Sequence, residues 1–186
     1  MIITIFLYKT LIEIIILIFL LRLWIFFTIN NNCNSFTKFI ILLTEIFLIY
    51  IKNIISNIKK NEFLSLLTLI FLIFIKYPTI ILLQNGNLFY HNLIFYIFIS
   101  IVILLKSFGY LFFWIINVYL ITNFINIKYN NFNYILEKLV NQILNSIKKI
   151  FPNIYNINLC LFIINLILYL VNNLLKNFFP QFWFLI

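Results

Sequence analysis

The 186-residue chain is 65 % hydrophobic and only 9 % charged, whereas a water-soluble domain keeps roughly half its residues apolar and about a quarter charged because its surface must face water. These proportions exclude a soluble fold and predict a multi-spanning membrane protein. The net charge of +9, from 13 Lys and Arg against 4 Asp and Glu, is spread between apolar runs and not gathered into one patch, which favours anionic lipid headgroups over nucleic acid as the partner.

Four apolar stretches reach the roughly 20 helical residues that a bilayer core requires. They are predicted at residues 6–29, 62–83, 93–125 and 157–175. The chain has no basic stretch ahead of its first apolar run and no small-residue cleavage site, so that run reads as a retained span. The third stretch is long and contains Lys106, Ser107 and Gly109, and it reads either as one helix or as two short spans around a turn. Charge decides between these. Lys38, Lys52, Lys59 and Lys60 separate spans one and two, and Lys128, Lys138, Lys148 and Lys149 separate spans three and four, while the link 84–92 has no Lys or Arg. An unsplit third helix, tilted or kinked, leaves both basic connections on one side, as the retention of Lys and Arg in the cytoplasm requires. Both termini are then expected outside.

The two basic connections carry helical patterns of their own. Over 133–151, Asn133, Glu137, Lys138, Asn141, Gln142 and Asn145 alternate with the pairs Ile135/Leu136, Leu139/Val140 and Ile143/Leu144, which predicts an amphipathic helix in the headgroup plane, stopped by Pro152. The segment 36–60 is more apolar, with Lys38, Glu45, Lys52 and Lys59 at seven-residue intervals. It fits a shallowly buried helix and is also long enough to span.

Superposing Lys52–Ser56 on Lys148–Pro152 brings the two halves into one register, each with a long span, an amphipathic segment, a basic group and a second span. The expected fold is therefore all-α, with four transmembrane helices as a tandem repeat of two-span units, one over 1–83 and the other over 93–178. Leu20-Leu21-Arg22-Leu23-Trp24 closes the first span, and Leu104-Leu105-Lys106-Ser107-Phe108-Gly109 with Phe113-Trp114 lies in the second half.

This order of parts resembles the YggT family of small integral membrane proteins, in its two-repeat bacterial form, over essentially the whole chain. The family's hallmark is a cytoplasm-side proline, an apolar residue, a basic pair, two apolar residues and a proline, then a turn ending in Asp with a nearby Ser-Pro. In the second copy Lys148-Lys149-Ile150-Phe151-Pro152 stands at that place, with Asn158 at the acid and Cys160-Leu161 at the Ser-Pro. The first copy has Lys52-Asn53 at the basic pair, Ser56 at the proline, Glu62 at the acid and Ser65 at the serine. Family members are associated with envelope or osmotic-stress tolerance, with cell-division gene neighbourhoods and, in plastid relatives, with nucleoid distribution and cytochrome maturation. The resemblance implies a role in membrane organisation or assembly in a bacterial cytoplasmic membrane and implies no reaction.

Arg22 is the one Arg among 13 basic residues of a chain whose wealth of Ile, Phe, Asn, Lys and Tyr and lack of Ala and Asp suggest AT-rich coding in a reduced bacterial or organellar genome. Its retention suggests that the guanidinium fork is wanted. It lies about 10 Å from the cytoplasmic end of its span, so it is expected to snorkel to the headgroups while making a structural hydrogen bond. Lys76 is expected to snorkel towards the opposite face. Glu13, nine residues before Arg22, falls on the other side of the helix and needs another partner or nearness to water. Lys148 and Lys149 are expected to anchor α-helical ends to anionic lipid or to dock a protein. The span asparagines Asn117, Asn123, Asn165 and Asn172 are candidates for interhelical hydrogen bonds.

His91 stands alone, Cys33 falls in a predicted loop and Cys160 near the start of a predicted span, so that no bridge is expected, and no nucleophile–base pair, phosphate loop or metal constellation is present in the sequence. No enzyme, cofactor or metal is expected. The first expectation is a scaffold or assembly factor that contacts other membrane proteins. A small oligomeric channel or osmotic valve lined by Arg22, Lys76 and span asparagines is the alternative, and a hydrophobic respiratory subunit of an AT-rich organelle genome is the third.

Overall fold

The computed structural model describes residues 2–28, 35–54, 61–85, 93–125, 131–148, 157–180 and 183. Cys33, Ser56, Lys59, Lys60, His91, Lys128, Lys149 and Pro152, each given a role or weighed above, lie outside these residues. The described chain forms six helices, α1 (Ile2–Thr28), α2 (Ser35–Ile54), α3 (Asn61–Asn85), α4 (Leu93–Phe124), α5 (Asn131–Lys148) and α6 (Ile157–Phe178), and no strand occurs among the described residues. Four of them, α1, α3, α4 and α6, are long and apolar enough to cross a bilayer.

The third apolar stretch is a single helix. α4 runs for 32 residues, about 48 Å at 1.5 Å per residue, against a hydrocarbon core of about 30 Å. Its internal polar groups do not interrupt it, because Ser100 and Ser107 return their hydroxyls to the carbonyls of Tyr96 and Ile103. α3 carries Pro78 in its interior, which removes one intrahelical donor and leaves the Phe74 carbonyl without its usual partner.

The core is built of β-branched and Leu side chains, led by Ile16, Leu20, Leu64, Ile80, Ile99 and Ile103, with Phe19 among them. Aromatics mostly face outward, as Phe6, Phe63, Phe71, Phe98, Trp114 and Phe162 do, and an apolar exterior of this kind suits hydrocarbon and not water. α1 and α3 form the tightest pair, and 39 % of each of their apolar windows is buried. α6 packs chiefly on α4, and only 11 % of its window is buried.

The helices between the spans differ in what they turn outward. α5 buries Ile135, Leu136, Leu139, Val140, Ile143 and Leu144, and exposes Glu137, Lys138, Asn141, Gln142, Asn145 and Ser146. α2 buries Thr37, Ile40, Thr44 and Leu48, yet most of its outward residues are apolar, Phe39, Leu42, Ile46, Phe47, Ile49 and Tyr50 beside Ser35, Lys38 and Asn53. The apolar side of α5 rests on α4, α1 and α2, so protein covers it.

Candidate functional site

Arg22 is 3 % exposed. Its Nε and Nη2 donate to the two carboxylate oxygens of Glu62 at 3.4 and 3.2 Å, and its Nη1 donates to the Thr44 hydroxyl. Thr44 Oγ in turn reaches the Ile40 carbonyl at 2.9 Å. One guanidinium thus ties α1 to α2 and α3, using a fork geometry that Lys does not have. The expected snorkelling of Arg22 is corrected: Glu62 at the start of α3 meets it inside the protein, so the charge has no need to reach headgroups. The structural hydrogen bond expected of it is present.

Lys76 is 1 % exposed and donates to Glu13 at 2.9 Å. Its expected snorkelling is likewise corrected, and Glu13 finds its partner on α3, not at the membrane surface. Because Glu13 precedes Arg22 on α1 whereas Lys76 follows Glu62 on α3, the two ion pairs fix the helices antiparallel and in register. Breaking a buried pair leaves an uncompensated charge, which costs about 3–5 kcal/mol. Lys9 and Lys106 lie within electrostatic reach of Glu13, so three ammonium groups share the neighbourhood of one carboxylate.

The remaining sequence-selected residues fall elsewhere. Trp24 stacks on Phe112 with centroids 4.8 Å apart and donates its indole N–H to Gln142 at 2.7 Å, joining α1 to α4 and α5. Lys52 is half-buried in the last turn of α2, Lys148 is the last residue of α5, and Asn158 is exposed in the first turn of α6. Among the described residues, the sequence-selected charges that meet are Arg22 with Glu62 and Lys76 with Glu13.

Between α4 and α6 the packing opens into a groove of about 740 Å³. Its walls include Val102, Leu105, Phe113, Leu168, Leu175 and Phe179. A small polar group interrupts the apolar lining. Lys106 Nζ donates to the Trp183 carbonyl at 3.0 Å and lies 4.9 Å from the centre of the Trp183 ring, a cation–π arrangement. Asn172 Oδ1 accepts from the Trp183 indole at 3.0 Å and from the Tyr110 hydroxyl at 3.4 Å. Deeper along the same helix pair, Asn165 donates to Asn117, while its own Oδ1 is buried without a partner. Two of the span asparagines thus bond between α4 and α6 as expected, and a third joins Tyr110 of α4.

A second apolar space of about 530 Å³ lies between α1, α3, α4 and α5, bordered by Trp24, Phe27, Ile70, Phe108 and Ile143. No group of three or more His, Cys, Asp or Glu side chains able to hold a metal occurs among the described residues. The arrangement can lock helices in register and accept apolar matter in its grooves. In comparisons with family models, curated proteins and solved structures, the chain matches none of them.

Proposed function

We propose that the chain is a scaffold or assembly protein of the YggT type, embedded in a bacterial cytoplasmic membrane as two tandem two-span units. In this reading α2 and α5 lie at the inner face, both termini lie outside, and α5 presents its polar side to partner membrane proteins. The observation that carries the reading is the pairing of two buried span cations within the chain. Arg22 and Lys76, which a channel would turn towards a water-filled path, are bonded to Glu62 and Glu13 of the same chain, which favours cohesion over conduction.

Two features support the tandem arrangement. α1 and α4 end at Thr28 and Phe124, α2 and α5 begin at Ser35 and Asn131, and α3 and α6 begin at Asn61 and Ile157, each pair 96 residues apart. Phe36 and Phe132, also 96 positions apart, touch each other edge to face at 4.9 Å, as equivalent residues do beside an approximate twofold axis. An interfacial position for α5 is supported by its row of polar outward residues together with Lys148 and the following Lys149.

Crosslinking in native membranes tests the scaffold. A chain with Lys148→Glu and Lys149→Glu should lose its captured partners, while undiminished capture counts against docking through α5. Solute flux through liposomes carrying the purified protein should stay at the level of empty liposomes, and a conductance abolished by Gln substitution at Lys76 would replace the scaffold by the channel.

A further inference from the structure

The groove between α4 and α6 has a counterpart in the first half that is filled. Gly109 and Asn172 lie 96 residues after Glu13 and Lys76, the same separation that relates the helix starts. Where α1 and α3 are joined by a carboxylate and an ammonium, α4 and α6 have a glycine and an amide, and the space those longer side chains would take is open. A Cβ on Gly109 would meet no neighbouring atom within 4 Å. Lys106, three residues away on the same wall, makes no ion pair among the described residues, where the pairs are Arg22–Glu62 and Lys76–Glu13; the Glu13 carboxylate acts on it only from a distance and is already bonded to Lys76.

A charge in apolar surroundings is costly unless it is paired, and the Trp183 carbonyl and ring supply dipoles to Lys106 but no counter-charge. The volume is within the range of small-ligand sites, and the lining is apolar apart from Lys106, Tyr110, Asn172 and Trp183. We propose that the α4–α6 groove is a binding site for a long-chain fatty acid, whose carboxylate pairs with Lys106 and stands where the Glu13 carboxylate stands in the first half, and whose tail fills the apolar strip between the helices. The site rests on the tandem arrangement proposed above but goes beyond the scaffold reading and does not depend on α5 or its partners.

Binding of oleate and of its uncharged methyl ester to the full chain in detergent, followed by native mass spectrometry, tests this. The wild type should retain one oleate and prefer it to the ester by tenfold or more. In Lys106→Gln that preference should vanish, with ester binding unchanged. Gly109→Leu should bind neither, since its side chain enters the open space without displacing a packed neighbour. Both variants leave the Arg22–Glu62 and Glu13–Lys76 pairs intact, and helix content by circular dichroism should match the wild type. Equal affinity of the wild type for oleate and ester, oleate binding by Lys106→Gln at wild-type strength, or undiminished binding by Gly109→Leu would each overturn the site. None of these outcomes bears on capture of partners through Lys148 and Lys149.

Discussion

Helices α1 and α3 are joined by charge and close packing, whereas α4 and α6, at matching positions 96 residues on, are joined by amides around an open groove. The first half places two ion pairs at distant levels of one helix pair and surrounds them with Ile16, Leu20 and Ile73. The second half has Val118 and Asn158 at the positions of Arg22 and Glu62, and Gly109 and Asn172 at those of Glu13 and Lys76. Four side chains thus separate a closed helix pair from an open one, because in lipid the apolar surface between helices supplies no hydrophobic drive and polar bonds and fit decide how closely they approach.

The contrast breaks most sharply at Arg22. Arg22→Met should lower stability by about 3 kcal/mol, read from denaturation in mixed detergent, because Glu62 is left part-buried without its partner; adding Glu62→Gln should recover most of the loss, and additive costs would show that the two residues do not act as a pair. Packing provides the next largest difference. Ile16→Ala, in the closed half, should cost about 2–4 kcal/mol, while Leu168→Ala on the groove wall should cost under about 1 kcal/mol, since its cavity already exists; equal costs would mean that the groove is closed in the membrane. Replacing Asn117 and Asn165 together by Leu should move stability by no more than about 1 kcal/mol in either direction, as bonds of this kind average roughly 0.6 kcal/mol in membrane bundles. The smallest effect is expected at Gly109→Ala, a gain of about 0.5–1 kcal/mol from helix propensity with no clash to oppose it; a loss there would indicate that the wall is in contact with something.

Much of the architecture is written in hydropathy. The four spans, the unbroken α4 and the extent of α5 follow from run length, charge placement and helical period, all of which are local. Segment 36–60 is harder to read because outward residues such as Phe39, Ile46 and Tyr50 are apolar while Lys38, Glu45, Lys52 and Lys59 are spaced along one stripe. Pairing was not legible, since Arg22 finds Glu62 forty positions away and Lys76 finds Glu13 sixty-three away, and no period within one helix reveals which residue another helix brings. A signal did exist: with four acidic residues in the whole chain, two of them inside or at the edge of spans, each was a strong candidate partner for a buried base. The groove is marked in the sequence only by Gly109 and Asn172 standing 96 residues after Glu13 and Lys76, a difference that gains meaning once the spacing of the helices is known.

The dependence of α1 on α3 has a consequence for biosynthesis. As α1 leaves the ribosome it brings Glu13 and Arg22 towards the lipid before Glu62 and Lys76 have been translated, and a lone charge in a span opposes insertion, by on the order of 3 kcal/mol at the helix centre, where Glu13 lies, and by less towards the end, where Arg22 lies. The favoured unit of entry is then a hairpin, with the first helix held at the translocon until the third arrives to neutralise it. Nascent chains stopped before Asn61 should partition into lipid less completely than chains extended past Gln84.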